Sequence, residues 1–156
     1  NDQEFWYPFY RLQEAGAKVT VVGSGSADRY TGKAGTQIDI NAAADQISLD
    51  EYDGVVIPGG YAPDLMRRYP AMLHLVKRLY EKGKVVAAIC HAGWVLISAG
   101  IITNRSVTSF FSIKDDMINA GARWTDKEVV VDGNLITSRT PSDLPAFMRA
   151  VIQAAR

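Results

Sequence analysis

Residues 84–93 read Lys84-Val85-Val86-Ala87-Ala88-Ile89-Cys90-His91-Ala92-Gly93. Lys84 to Ile89 is an unbroken apolar run rich in β-branched residues, as required of a strand covered on both faces in the middle of a parallel sheet. It meets Cys90-His91-Ala92-Gly93 with no linker, and an apolar helix is predicted from about Trp94 to Ala99. A strand that turns directly into a helix lifts the turn residue above the sheet edge, and small neighbours make room for the strained turn. Helix N-termini carry unpaired N–H groups and partial positive charge. Cys90 is therefore expected to be a nucleophile with a pKa below that of a free thiol, about 8.5. The competing reading is an inert cysteine buried in an apolar strand.

Outward from this point the chain alternates strands and helices. Phe5, Phe9 and Leu12 lie at helical spacing, predicting a helix from about Gln3 to Ala15 with Gly16 as its cap and Pro8 inside it. Lys18 to Val22 reads as a short buried strand, and Thr36 to Ile40 as an exposed extended segment after the turn Thr31-Gly32-Lys33-Ala34-Gly35. Tyr52 to Ile57 is a strand ending in Pro58-Gly59-Gly60. Tyr69 to Lys82 is an amphipathic helix closed by Gly83, and Ile113 to Ala120 another, closed by Gly121. Glu128 to Val131 and Leu135 to Ser138 flank the turn signal Asp132-Gly133-Asn134. A last helix spans Pro141 to Ala155. This order predicts an α/β fold with a doubly wound, mostly parallel sheet, whose site lies outside the carboxyl ends of the strands.

That edge collects the candidate residues. A thiolate needs a base or cation nearby, and the chain has two histidines. His74 falls within the amphipathic helix and reads as a surface residue, which leaves His91. A triad built on a distant histidine cannot be assembled. Gly59 and Gly60 follow a strand, where glycines let backbone N–H groups approach a developing oxyanion. Asp64 comes shortly after, at a helix start, and is either a capping acid or a site acid. Glu4 lies in the opening helix, where solvation is the default. Arg139, after the strand Leu135 to Ser138, either binds an anionic substrate group or pairs with an acid.

The bulk numbers exclude several classes. The 156 residues, 47% of them hydrophobic and 22% charged, suit one domain over 1–156. Seventeen basic and 17 acidic residues, without a basic run, argue against nucleic-acid binding. One cysteine allows no internal disulfide and no cysteine-rich metal site. No cofactor is implied. There is no 18-residue apolar run and no cationic leader, so the expected location is the cytoplasm, away from membranes.

Several blocks together resemble the PfpI/ThiJ family, within the superfamily of the Parkinson-associated protein deglycase. They are Tyr7-Pro8 with Arg11-Leu12 and Gly16; Val56-Ile57-Pro58-Gly59-Gly60-Tyr61-Ala62-Pro63-Asp64; Ile89-Cys90-His91; Ile97-Ser98-Ala99-Gly100; Ile113-Lys114-Asp115-Asp116-Met117-Ile118-Asn119-Ala120-Gly121-Ala122; and Ser138-Arg139-Thr140-Pro141 with Asp143-Leu144. The resemblance implies a flavodoxin-like sandwich akin to the class I glutamine amidotransferases. It makes Cys90 the nucleophile, His91 its neighbour and Glu4 the acid that hydrogen-bonds the sulfur. Gly60 and His91 become the oxyanion-binding N–H pair. It also implies a homo-oligomer, dimer or hexamer, in which Asp64 reaches His91 of a neighbouring subunit. The family's first central strand precedes the glutamate and is absent from the 156 residues, so further N-terminal residues are expected in the natural protein.

The implied activity is a cofactor-free glyoxalase or deglycase acting on methylglyoxal, glyoxal or their early protein adducts through a Cys90 hemithioacetal. Two other readings accompany it. One is an intracellular cysteine peptidase using Cys90, His91 and Asp64. The other is a redox-sensing stress chaperone, since an exposed thiolate oxidises readily.

Overall fold

The computed structural model describes residues 1–156. In chain order it contains α1 (Asp2–Glu14), β1 (Val22–Gly23), β2 (Arg29–Thr31), β3 (Gln37–Asp39), β4 (Ala42–Ala43), β5 (Gly54–Ile57), α2 (Ala62–Met66), α3 (Pro70–Glu81) and β6 (Val85–Ile89). The second half adds α4 (Gly93–Ala99), β7 (Ser106–Val107), α5 (Lys114–Asn119), β8 (Arg123–Trp124), β9 (Val129–Asp132), β10 (Leu135–Ser138) and α6 (Leu144–Ala154). The main sheet runs β5-β6-β10-β9, with β6 parallel to both neighbours and β9 antiparallel at the edge.

β6 is buried at every residue because it serves two cores. Val86 and Ala88 point to one face, where α3 and α4 pack with Leu75, Val76, Leu79, Val95 and Leu96. Val85, Ala87 and Ile89 point to the other, against Phe147, Met148 and Val151 of α6, with Leu12 of α1 alongside. Strand side chains alternate between faces, so a run apolar at every position needs cover on both. The architecture is α/β and flavodoxin-like, as the sequence predicts, and the expected helices are present within one or two residues of their expected ends, save the last, whose expected first turn Pro141–Asp143 is a 3₁₀ turn ahead of α6.

The exception is the strand expected at Lys18 to Val22. Only Val22 and Gly23 pair, and their partner is the short β4 rather than the main sheet. Val19, Thr20, Val21 and Val22 are half-buried, not buried. In the sheet order β5 stands at the end opposite β9. No helix is long and apolar enough to cross a membrane.

Candidate active site

Cys90 follows β6 directly and takes φ +61°, one of two non-glycine residues with positive φ. Holding an L-residue in the left-handed region costs of order 1–3 kcal/mol, and surrounding structure must impose it. A 3₁₀ turn, Cys90–Ala92, connects it to α4. The Cys90 carbonyl accepts the Phe110 N–H at 3.3 Å, which ties the loop before α5 to the turn. Cys90 is buried, at 7% exposure, and is the chain's one free thiol.

Three groups converge on the sulfur. The backbone N–H groups of Gly60 and His91 neighbour it and lower its pKa. Nδ1 of His91 lies 3.2 Å away. The third is Glu4, whose side chain is fully buried although α1 otherwise sends its charged residues to solvent. Its Oε2 accepts the Gly59 N–H at 2.7 Å. Its Oε1 is buried without a full hydrogen bond, with the Cys90 thiol as neighbour.

The acidity of Cys90 differs from the expectation. Burial, and then the negative charge of Glu4, push its pKa up to about 11, against the pull of the two amides. Two local facts explain this. α4 begins three residues beyond the sulfur, at Gly93, and has only seven residues; the pull of a helix end fades within a turn. The acid beside the sulfur is itself buried, and burial raises the Glu4 pKa above the ordinary carboxyl value. Cys90 and Glu4 thus form a pair of buried acids in which the charge of Glu4 holds the thiol protonated.

The glycines divide their work. Gly60, at φ +75°, turns its N–H to the sulfur. Gly59, expected beside it as an oxyanion donor, has its N–H committed to Glu4. A Cβ at Gly59 would stand 2.5 Å from Glu4 Oε2, 2.7 Å from Cys90 Cβ and 2.9 Å from the Ile89 carbonyl, so only glycine fits. Its N–H seats the carboxylate.

Two other candidates stand apart. Arg139 donates to both oxygens of Asp143, at 2.9 and 3.1 Å, and to Asp126 at 2.7 Å. These two acids raise its pKa and occupy its guanidinium, so of its two readings the structure takes the acid pair. Asp64 lies within the first turn of α2 and is not its N-cap, a position held by Tyr61. It pairs with Arg68, which holds its carboxyl below the usual range, and it makes no contact with His91 of its own chain. His74 is exposed on α3, as expected.

Sequence reasoning missed the surroundings of His91. Its ring stacks on Phe110 (centroids 5.0 Å apart, 28° between planes) and meets the edge of Trp94 at 5.2 Å. Its Nε2 lies 3.2 Å from Ser112 Oγ. Ser112 adjoins the recognisable block at Ile113, yet a lone serine before a helix carries no signal of its own. No group of three or more His, Cys, Asp or Glu side chains is placed to hold a metal ion.

The chain is similar to known proteins in sequence and in fold. The DJ-1/PfpI family profile matches residues 1–154. Deglycase PfpI of Pyrococcus furiosus is 43% identical over 152 residues, covering 97% of this chain and 91% of that protein. Protein/nucleic acid deglycase 2 of Escherichia coli is 38% identical over 154 residues, covering 97% and 90%. Among solved structures, a two-domain protein from Anabaena variabilis with DJ-1/ThiJ/PfpI-like and ferritin-like domains superimposes with a TM-score of 0.96 at 44% identity. It covers 98% of this chain and 44% of that one.

Proposed function

Because this chain belongs to the DJ-1/PfpI family, we propose that it is a cysteine-dependent deglycase and glyoxalase that needs no cofactor. The observation that carries this reading is the buried Glu4–Cys90 pair under the two N–H groups of Gly60 and His91. Two buried acids in contact hold one proton between them near neutral pH. That proton rests on the sulfur, whose pKa is about 11; its passage to Glu4 makes the sulfur a thiolate facing donors and the carboxyl a hydrogen-bond donor. Attack and proton transfer then need no outside base.

The Cys90 thiolate attacks the aldehyde carbon of methylglyoxal or glyoxal, and the carbonyl oxygen takes a proton to give a hemithioacetal. On an early adduct, the sulfur takes the same carbon from the amine, which leaves with a proton. Glu4 removes the proton from the sulfur-bearing carbon and returns one to the neighbouring carbon, converting the hemithioacetal into the thioester of a 2-hydroxy acid. The N–H groups of Gly60 and His91 stabilise the oxyanion formed when water attacks that thioester. Lactate or glycolate departs, and the thiol is restored.

The names of the relatives support the same class, since both curated proteins compared are deglycases. The reading includes a homo-oligomer, dimer or hexamer, with Asp64 of one copy near His91 of the next. Tyr61 and Leu65, 67% and 44% exposed, flank Asp64 and offer it an apolar surround. Light scattering gives the copy number. The deciding assay compares wild type with Cys90→Ala on methylglyoxal, on a methylglyoxal-treated peptide and on casein. Wild type should consume the first two and the variant neither. A wild type inert toward both, or a variant as active as wild type, would overturn the reading; casein cleavage lost in the variant would favour a peptidase.

A further inference from the structure

The first turn of α1 is gripped from outside. Asp2 and Trp6 stand four residues apart on the helix and so share one side of it, while Glu4, two residues from each, points the other way into the protein. Both outer residues hold the loop of the β2–β3 hairpin. The Asp2 carboxylate accepts the Ala34 N–H at 2.7 Å on Oδ2, and on Oδ1 it accepts the Thr36 N–H at 3.4 Å together with the Thr36 hydroxyl. The same hydroxyl accepts the Trp6 indole N–H at 3.0 Å.

Thr36 thus gives its one O–H to Asp2 and lends a lone pair to Trp6. The loop is shaped for this contact. The Gly32 N–H bonds the Thr36 carbonyl at 2.8 Å, and a Cβ on Gly32 would collide with the Asp2 carboxylate. The Thr36 hydroxyl, and after it the Ala34 amide, hold the Asp2 carboxyl below the usual range, so it is charged near neutral pH. The clasp matters for what lies on the inner side. The buried residues of α1 are Glu4 and Pro8, so the first turn sinks a carboxyl where an apolar anchor would be usual, and a buried carboxyl favours return to water unless it is held. The Gly59 N–H holds it from within; the hairpin holds its helix from without.

We propose that Asp2 and Thr36 are positioning residues: their clasp between the hairpin loop and the first turn of α1 keeps the Glu4 carboxyl against the Cys90 sulfur. The hairpin thereby has a share in the reaction without touching the reacting atoms. This rests on the reading of Glu4 as proton carrier given above.

Thr36→Val keeps the outline of the side chain and removes its hydroxyl; Thr36→Ser keeps the hydroxyl. Burial and then the charge of Glu4 raise the Cys90 pKa, so a Glu4 that drifts from the sulfur lets the thiol titrate at lower pH, read by thiolate ultraviolet absorbance. The valine variant should shift in that direction, by part of the shift that Glu4→Gln produces. Its methylglyoxal turnover should fall roughly tenfold or more with KM little changed, the scale of loss from a small misplacement made far from the chemistry. Thr36→Ser should match wild type on both counts, and Asp2→Ala should reproduce the valine variant. In a Glu4→Gln background neither substitution should move the titration further. A titration unmoved in either Thr36→Val or Asp2→Ala overturns the proposal. So does a serine variant as impaired as the valine one, or a shift of the same size in the Glu4→Gln background, since the clasp would then act otherwise than through Glu4. No substrate enters the titration. The expected shifts in a protein inert toward aldehydes would count against the deglycase reading alone.

Discussion

The Gly59 amide donates to Glu4 Oε2 at 2.7 Å, a buried bond between residues 55 apart in sequence. It fixes a carboxyl from the first helix against the end of β5, where the Cys90 sulfur is its next neighbour. Helix, strand end and turn meet at this one bond.

Gly59→Ala should therefore damage both fold and chemistry. Its Cβ would meet Glu4 Oε2 at 2.5 Å and the Ile89 carbonyl at 2.9 Å, and backbone cannot swing aside. The cost expected of such overpacking is about 1–3 kcal/mol, a melting temperature lower by roughly 3–10 °C at this chain length. Calorimetry reads the first effect and methylglyoxal turnover the second. Turnover should fall by more than the folded fraction does.

Glu4→Gln should separate ionisation of the sulfur from catalysis. Glu4's charge is the second largest cause of the raised Cys90 pKa, so a neutral amide should bring the thiol titration to lower pH, followed by thiolate ultraviolet absorbance. Turnover should nevertheless drop by roughly 10²-fold or more, because the proton carrier is gone. A titration unmoved, or moved upward, would contradict the pairing of the two acids.

Stability should change with pH in a stated direction. Both acids have folded-state pKa values above their ordinary ones, 4.5 for Glu4 and 9.0 for Cys90. Their contributions are complete below the unfolded values and are lost as pH rises through the folded values. For Cys90 the window runs from 9.0 to about 11. Urea unfolding across that range should show wild type weakening while Cys90→Ala lacks this share of the loss.

Arg139→Gln tests the assignment of that residue to the scaffold. It strips the partner from Asp143, 7% exposed, and should cost about 1.5–3 kcal/mol, typical of hydrogen bonds to charged groups. The KM for methylglyoxal should stay within twofold or so of wild type. A large rise in KM at unchanged stability would return Arg139 to substrate binding.

Much of this was legible in the sequence, for identifiable reasons. β6 declares itself because a strand buried on both faces must be apolar throughout, and the β9–β10 hairpin because Gly133-Asn134 turns it. The position of Cys90 follows from the same strand. Its acidity does not: burial, the 3₁₀ turn and the distance to α4 are properties of the assembled fold. The depth of Glu4 has no local signal, since its partner lies across the sheet edge; only the family resemblance singled it out. Arg139 and Asp64 share with Cys90 a place near strand ends, and whether such a residue faces a ligand or an ion pair depends on side chains distant in sequence. Lys18 to Val22 has strand composition but no main-sheet neighbour to pair with.

The positive φ of Cys90, +61°, bears on what this protein could become. Glycine adopts that geometry freely and alanine does not. Exchange of Cys90 for glycine relaxes the turn, while exchange for alanine leaves the backbone penalty in place. The backbone at this position thus favours a residue without a thiol, and gains in stability there pull against keeping the sulfur.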